Sequence, residues 1–226
     1  MTRQDGQSAS LSEIGGQLRR MCVDCLDDAG VDGAGLAVFA HDGTPETVHA
    51  TSALATHIED LQFTTGEGPC IDAARTGRPV LVPDLRPEHH ARWPVMGPEL
   101  AASGVAAIFA LPIRVGTLSL GCLDLHRTSP GALTSRQLAN TLRTVDLAGE
   151  LLITFAPDGL DDLLPRATYR MVVHQAAGMA MVQLDVGLAE AMLRLRAAAY
   201  AEERSINDLA ADIVARRRTL SEEDDA

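Results

Sequence analysis

The sequence predicts an α+β body followed by an all-α module of three helices, and three observations carry that prediction. Between about residue 35 and Arg127, short aliphatic runs alternate with glycine- and proline-marked turns, the pattern of an antiparallel sheet. Amphipathic stretches at 10–29 and from Thr134 through Phe155 bracket those runs. From Arg170 to Val214 the apolar periodicity changes to that of three short helices in succession. The order helix, two strands, loop and helix, strand, helix, two strands, helix implies an antiparallel five-stranded sheet with helices packed on it. The domains are therefore placed at 10–156 and 166–218, with a linker at 157–165 and an acidic tail at 219–226.

In the first helix Ser10 and Glu13 give a capping box, and Leu11, Ile14, Leu18, Met21, Cys25 and Leu26 mark the apolar face. A strand from about Gly35 to Ala40, a turn at Asp42-Gly43 and a second strand near Thr47 to Ser52 follow. A polar stretch then leads to TTGEGPCIDAARTGRPVLVPDL. There a short helix runs through Ile71 to Arg75, Gly77 stops it, and Pro79 to Pro83 is a short buried strand. Trp93 to Ala102 reads as helix. VAAIFALPIRV and LSLGCLDLHR form an apolar hairpin turning near Gly116, and Thr134 with Gln137 caps the long helix.

At 226 residues and 46% hydrophobic content the chain has material for two modest domains. No apolar run has the length of a membrane span, and MTRQDGQSAS lacks the apolar segment of a signal peptide, so a cytoplasmic protein is expected. In a reducing compartment the four cysteines are expected to be free thiols. All 19 basic residues are arginine, which a GC-rich genome explains without further meaning.

Cys22 and Cys25 make a C-x-x-C deep inside a helix, whereas a redox pair sits at a helix start after a strand. They read as small core-facing thiols. The seven histidines show no ligand spacing, so spacing along the chain offers no metal site and no ligand is assigned. TTGEGPC lacks the Lys-Ser/Thr of a phosphate loop, so turn geometry accounts for its glycines better than nucleotide binding does. Cys70 sits at a helix start, where the helix dipole lowers a thiol pKa. A packed cysteine is its simpler reading, and a reactive or chromophore-linking thiol is the alternative. Cys122, inside an apolar strand, is expected to be inert.

The C-terminal helices follow from their stripes. Ile206, Leu209, Ala210, Ile213 and Val214 form one, with Ser205 and Asp208 as its capping signal. Ala191, Leu195, Ala198 and Ala199 share a face with Leu188 and Met192, leaving Arg194 and Glu190 outward. The first helix is apolar almost all round over AAGMAMV, which asks for cover from neighbours or a second chain.

HQAAGMAM, then Ala191 to Arg196, then Arg204 to Ala210 resembles the ANTAR domain, a three-helix RNA-binding module of transcription antitermination. Gln175, Ala176, Gly178, Met181, Ala191, Leu195, Arg196, Ala199, Arg204, Asp208, Ala210 and Val214 stand where that pattern wants them. Many members have lysine where this chain has Ala177, a missing positive charge. GEGPCIDAARTGRPVLVPDL followed by ALPIRVGTLSLGCLDLHR resembles a GAF domain of the kind that precedes ANTAR modules, over roughly 10–155. Together the resemblances imply a small-molecule sensor or dimeriser joined to a reader of paired hairpins in leader RNA. No effector is named by the sequence. Phospho-receiver domains, another companion of ANTAR modules, need a lysine, and this chain has none.

RNA loops are recognised by stacking and polar contacts. The candidate contacts are Arg170, His174, Gln175, Arg194, Arg196, Tyr200 and Arg204, with Arg216, Arg217 and Arg218 adding phosphate attraction. For Arg204 the alternative is capping the end of the second helix. The net charge of −12 excludes tight binding of arbitrary RNA by charge, but the sign is uneven. Leu163 to Leu220 carries eight arginines against six acids, while Glu222 to Asp225 is wholly acidic.

The linker is equally a plain connector or a hinge. A homodimer through helix 134–155, helix 171–184 or both is expected. The competing class is an enzyme, a cysteine-dependent GAF reductase of a small oxidised substrate such as methionine sulfoxide, with Cys70 and Cys122 as its pair. Reading helices two and three as a DNA-binding helix-turn-helix fails, because Asp208 and Asp212 would face the phosphates. The sequence therefore favours a non-enzymatic regulator.

Overall fold

The computed structural model describes residues 2–40, 43–85, 91–155 and 168–221, with side chains left out at 2–12, 154–155 and 168–169. The chain divides into two units, Met1–Leu164 and Pro165–Ala226. The joint at 157–165 and the acidic run Glu222 to Asp225 lie outside the described residues.

The first unit is built on one antiparallel sheet. Its strands are β1 (Gly33–Phe39), β2 (Pro45–Ala50), β3 (Val80–Val82), β4 (Ala107–Val115) and β5 (Leu118–Arg127), in the order β2-β1-β5-β4-β3. Successive side chains on a strand point to opposite faces, so the central strands serve two layers at once. β4 and β5 are buried along nearly their whole length, as that position requires.

Helices α1 (Thr2–Ala29) and α5 (Ser135–Phe155) cover one face. There Ile14, Leu18, Cys22 and Cys25 meet Leu36, Val38, Phe109, Leu111, Leu123 and Leu125, with Val145, Ala148 and Leu152. Helices α2 (Ala53–Thr65), α3 (Pro69–Thr76) and α4 (Met96–Ala102) belong to the other face, where Ile58, Cys70, Ala73, Trp93, Met96 and Leu100 pack on Ile108, Ala110 and Cys122. The alternation of even and odd positions on β5 thus decides which side chains meet which helices.

The sheet and the β4–β5 hairpin turning at Gly116 agree with the sequence expectation, and Gly77 ends α3 by donating its N–H to Ala73 O at 2.8 Å. Thr134 and Gln137 cap α5 reciprocally: Thr134 Oγ1 accepts from Gln137 N, and Gln137 Oε1 accepts from Thr134 N at 2.9 Å. Two differences stand out. α1 begins at Thr2, well before the expected cap at Ser10, because only Gly6 interrupts helix-compatible residues upstream. α2 occupies the stretch expected to be loop; its buried face carries Glu59 and Gln62 beside Ala55, Ile58 and Phe63, which hides the apolar period. Its start is capped by Ser52, whose hydroxyl accepts from Ala55 N at 3.1 Å.

The second unit contains α6 (Thr168–Leu184), α7 (Leu188–Ala201) and α8 (Ile206–Val214). Ala191, Met192, Leu195 and Ala198 of α7 are buried, as are Ile206, Leu209, Ala210 and Ile213 of α8. Ser205 caps α8 by accepting from Asp208 N at 3.1 Å. On α6 the buried face is Val173, Ala176, Ala177 and Ala180. Met171, Gln175, Gly178 and Val182 line its exposed side, so a helix apolar nearly all round is covered on one side only. Among the described residues no single helix is long and apolar enough to cross a membrane.

Candidate functional site

Beneath the GEGPC loop lies a cluster of polar side chains packed into the second face of the sheet. α2 sends in Glu59 and Gln62, α3 begins with Pro69 and Cys70, and β5 contributes Cys122, Asp124 and His126 at alternate positions. All of these side chains are buried: Cys70, Cys122 and Gln62 are at 0%, Glu59 and His126 at 2%, Asp124 at 4%.

The loop itself is a folded corner. Glu67 Oε2 accepts from Val95 N at 3.0 Å and Met96 N at 3.2 Å, so its carboxylate caps the start of α4 from a distant segment. Gly68 has φ of 129°, and a Cβ there would lie 2.5 Å from Met96 Sδ and 2.6 Å from Gln62 Oε1. Only glycine fits both the backbone angle and the space. Pro69 then occupies the first turn of α3, where its missing N–H costs nothing.

Gln62 connects this corner to the sheet. Its Oε1 accepts the Cys70 N–H at 2.7 Å, and its Nε2 donates to Asp124 Oδ2 at 2.6 Å. Cys122 Sγ reaches Asp124 Oδ1 at 3.3 Å. Glu59 also hydrogen-bonds Asp124. Burial raises the Asp124 carboxyl to about 6, with the hydrogen bonds from Gln62, Cys122 and Glu59 working against that rise. Room for the two carboxyls comes from β1: Gly35 pairs with Asp124 in register, and a Cβ on it would sit 2.1 Å from Glu59 Oε1. Gly35, Ala55, Ile58, Asp124 and His126 close around Glu59 without leaving room for a water molecule.

The hydrogen bond with Cys122 lowers the Cys70 thiol, but desolvation and the Asp124 charge outweigh it and push the thiol up to about 12. Burial, the bond with Cys70 and Asp124 hold Cys122 well above its ordinary value. Neither is a thiolate at neutral pH, and the helix-start position of Cys70 does not rescue it. Burial raises Cys22 to about 12 and Cys25 to about 11, in keeping with core-facing thiols. The sequence names Cys70 and Cys122 as a pair only under the reductase reading, and the fold brings them together with Asp124: their ligand atoms lie within 4.8 Å of one another. Cys-x-Asp-x-His on β5 was the signal available, three polar positions on one face of an otherwise apolar strand.

A second polar hub stands at Asp72. Its carboxylate accepts from Trp93 Nε1 at 3.1 Å, Arg92 Nε at 2.7 Å and an Arg75 nitrogen at 2.7 Å. The Arg92 guanidinium also lies 5.1 Å from the Trp93 ring centroid.

In the second unit the predicted RNA contacts scatter. Gln175 is exposed on α6, and Tyr200 is 72% exposed near the end of α7. His174 and Arg196 are half-buried. Arg194 is half-buried and paired with Glu190 at 2.8 Å. Arg170 corrects the expectation: at 5% exposure it falls with Val173 and Ala177 on the buried side of α6, three and seven residues along. Ala177 itself is fully buried, so the position where many ANTAR modules carry lysine is not on the exposed stripe of this helix. Arg204 pairs with Asp212 at 2.5 Å and Glu202 at 3.3 Å; Arg217 joins Asp212 and Arg218 joins Glu202. These arginines tie the α7–α8 corner to the segment after α8.

Comparison with known proteins places this geometry. The family model of the GAF domain matches residues 8–152. The GAF domain of an Acinetobacter phosphoenolpyruvate-protein phosphotransferase is 11% identical with a TM-score of 0.52, covering 70% of this chain and 98% of that one. The GAF region of a putative membrane protein from Geobacter sulfurreducens is 16% identical with a TM-score of 0.52, over 66% and 96%. The type II free methionine-R-sulfoxide reductase of Thermoplasma acidophilum is 19% identical with a TM-score of 0.51, over 65% and 96%. At such identities the likeness is one of fold. No curated protein matches the chain.

Proposed function

The chain belongs to the GAF-domain family, and from that premise we propose that it is a ligand-responsive, RNA-binding regulator that promotes transcription antitermination. In this reading the GAF unit senses a small molecule. The three-helix unit is an ANTAR module that binds paired hairpins in leader RNA, and formation of that RNA structure competes with a terminator.

The observation that carries the reading is the order and spacing of the ANTAR pattern, laid over three consecutive helices. Gln175 shares an exposed stripe of α6 with Met171, Gly178 and Val182, and Tyr200 stands out from α7. A polar amide and an exposed aromatic ring suit unpaired bases in a loop, which are read by hydrogen bonding and stacking. Arg196 supplies a cation nearer the surface than Arg170 does. The ion pairs at Arg204 favour a positioning role for that residue, holding the α7–α8 corner.

The second reading, a cysteine-dependent reductase, is favoured by one fact, the meeting of Cys70 and Cys122. Its chemistry asks for an accessible thiolate, whereas both thiols are fully buried and held protonated. We therefore assign no catalytic step.

A gel shift of the full chain on two-hairpin leader RNAs, with duplex DNA as control, tests the proposal. Selective retention of RNA, lost in Gln175→Ala/Tyr200→Ala while the helical signal is kept, supports it. Equal affinity for RNA and DNA, or RNA binding untouched by that double substitution, sinks it. Sedimentation of the full chain tests the homodimer that belongs to the same reading.

A further inference from the structure

We infer that Cys70, Cys122 and Asp124 form a binding site for one thiophilic divalent cation of the zinc class, inside the GAF unit and independent of RNA recognition. The two sulfurs and a carboxylate oxygen lie within 4.8 Å of one another, and the Cys122 Sγ–Asp124 Oδ1 edge is 3.3 Å. Edges of a tetrahedron built from ordinary zinc–sulfur and zinc–oxygen bonds are about 3.3–3.8 Å.

The surroundings suit a cation better than they suit bare thiols. Glu59 and Asp124 bring two buried carboxyls to this face of the sheet, and Asp124 is the one grouped with the two sulfurs. Gln62 does what an outer partner of a metal ligand does: its Nε2 holds Asp124 Oδ2 at 2.6 Å and leaves Oδ1 turned to the sulfur. The Gln62 side chain is in turn fixed by the Cys70 N–H, so one ligand's backbone orients another ligand's carboxylate. Two thiolates with a carboxylate select zinc or a similar borderline ion over magnesium or calcium, which take oxygen sets. On binding, the Sγ–H protons of Cys70 and Cys122 leave to solvent, and the cation takes their place between the sulfurs and the carboxylate. No electron transfer is involved.

The probe is Co2+, which reports thiolate ligation by an intense charge-transfer absorption. Reduced full chain, both native and refolded with the ion, is titrated with Co2+ and then back-titrated with Zn2+. The expected result is one Co2+ per chain with a sulfur charge-transfer band that Zn2+ abolishes. Cys22→Ser/Cys25→Ser keeps the band, Cys70→Ser and Cys122→Ser lose it, and Asp124→Asn weakens binding at least about tenfold. Circular dichroism confirms that each variant is folded. Absence of uptake by both native and refolded wild-type chain overturns the proposal. So does a band that follows Cys22 and Cys25, or one that survives loss of Cys122.

Discussion

Gln62 donates to Asp124 Oδ2 at 2.6 Å across the gap between α2 and the centre of the sheet, and both residues are buried. The amide has no slack, because its oxygen is held by the Cys70 N–H. Replacing it with leucine strands a backbone donor and a carboxylate oxygen together, each costing about 1–3 kcal/mol. Gln62→Leu is therefore expected to lower stability by about 2–6 kcal/mol. Urea unfolding of the full chain, followed by circular dichroism, measures this; a loss below the unfolding error removes Gln62 from its structural role.

Glu67 links the loop to α4 by capping it. Glu67→Ala is expected to cost about 1 kcal/mol, the usual worth of a lost cap. Glu67→Gln, which keeps an acceptor oxygen, should recover part of that. Equal losses in the two variants would mean that charge and not the hydrogen bond matters.

Gly35 is small because Glu59 lies over it. Gly35→Ala places a methyl 2.1 Å from Glu59 Oε1 and is expected to destabilise by about 1–3 kcal/mol. Adding Glu59→Ala should make the pair of substitutions markedly non-additive. Strict additivity in thermal unfolding would place the strain elsewhere.

Asp32 gives an acid limb to stability. Thr128 donates to its Oδ2 from both N and Oγ1 at 2.7 Å, and these bonds hold the carboxyl below its ordinary 3.8. The folded state therefore binds this proton less readily than the unfolded chain. The contribution is complete above pH 3.8 and disappears as pH falls through the lower folded-state value. Asp32→Asn should flatten the acid side of the stability profile and leave its neutral slope unchanged. An identical acid limb in the variant would assign the effect to other carboxyls.

Arg204→Ala is expected to loosen the α7–α8 corner, seen as faster amide exchange from Glu202 to Arg218, because it releases Asp212 and Glu202. RNA affinity should fall less than in Arg196→Ala. The reverse order in a gel shift would put Arg204 on the RNA.

What the sequence made legible was whatever repeats with a period. The β4–β5 hairpin, the Thr134-capped helix and the stripe beginning at Ile206 each announce themselves through alternation or helical spacing. α2 did not, since Glu59 and Gln62 occupy its inward face and read as solvent positions. The buried polar cluster was hidden for the same reason and for another: Gln62, Cys70 and Asp124 meet only through the pairing of distant segments. Arg170 was misplaced because a charged residue at the start of an amphipathic helix gives no sign of which side it faces. The arginine ties around Glu202 and Asp212 depend on a corner geometry that spacing along α7 and α8 does not encode.

Trp93 is the sole tryptophan of the chain, fully enclosed and bonded through its indole N–H to Asp72 beneath the Arg92 guanidinium. Its emission is consequently a built-in optical label for the GAF unit alone, blind to events confined to α6, α7 and α8. Any spectral change on adding RNA would then be a direct reading of communication between the two units. A constant signal through saturation would mean that the two units act without informing each other.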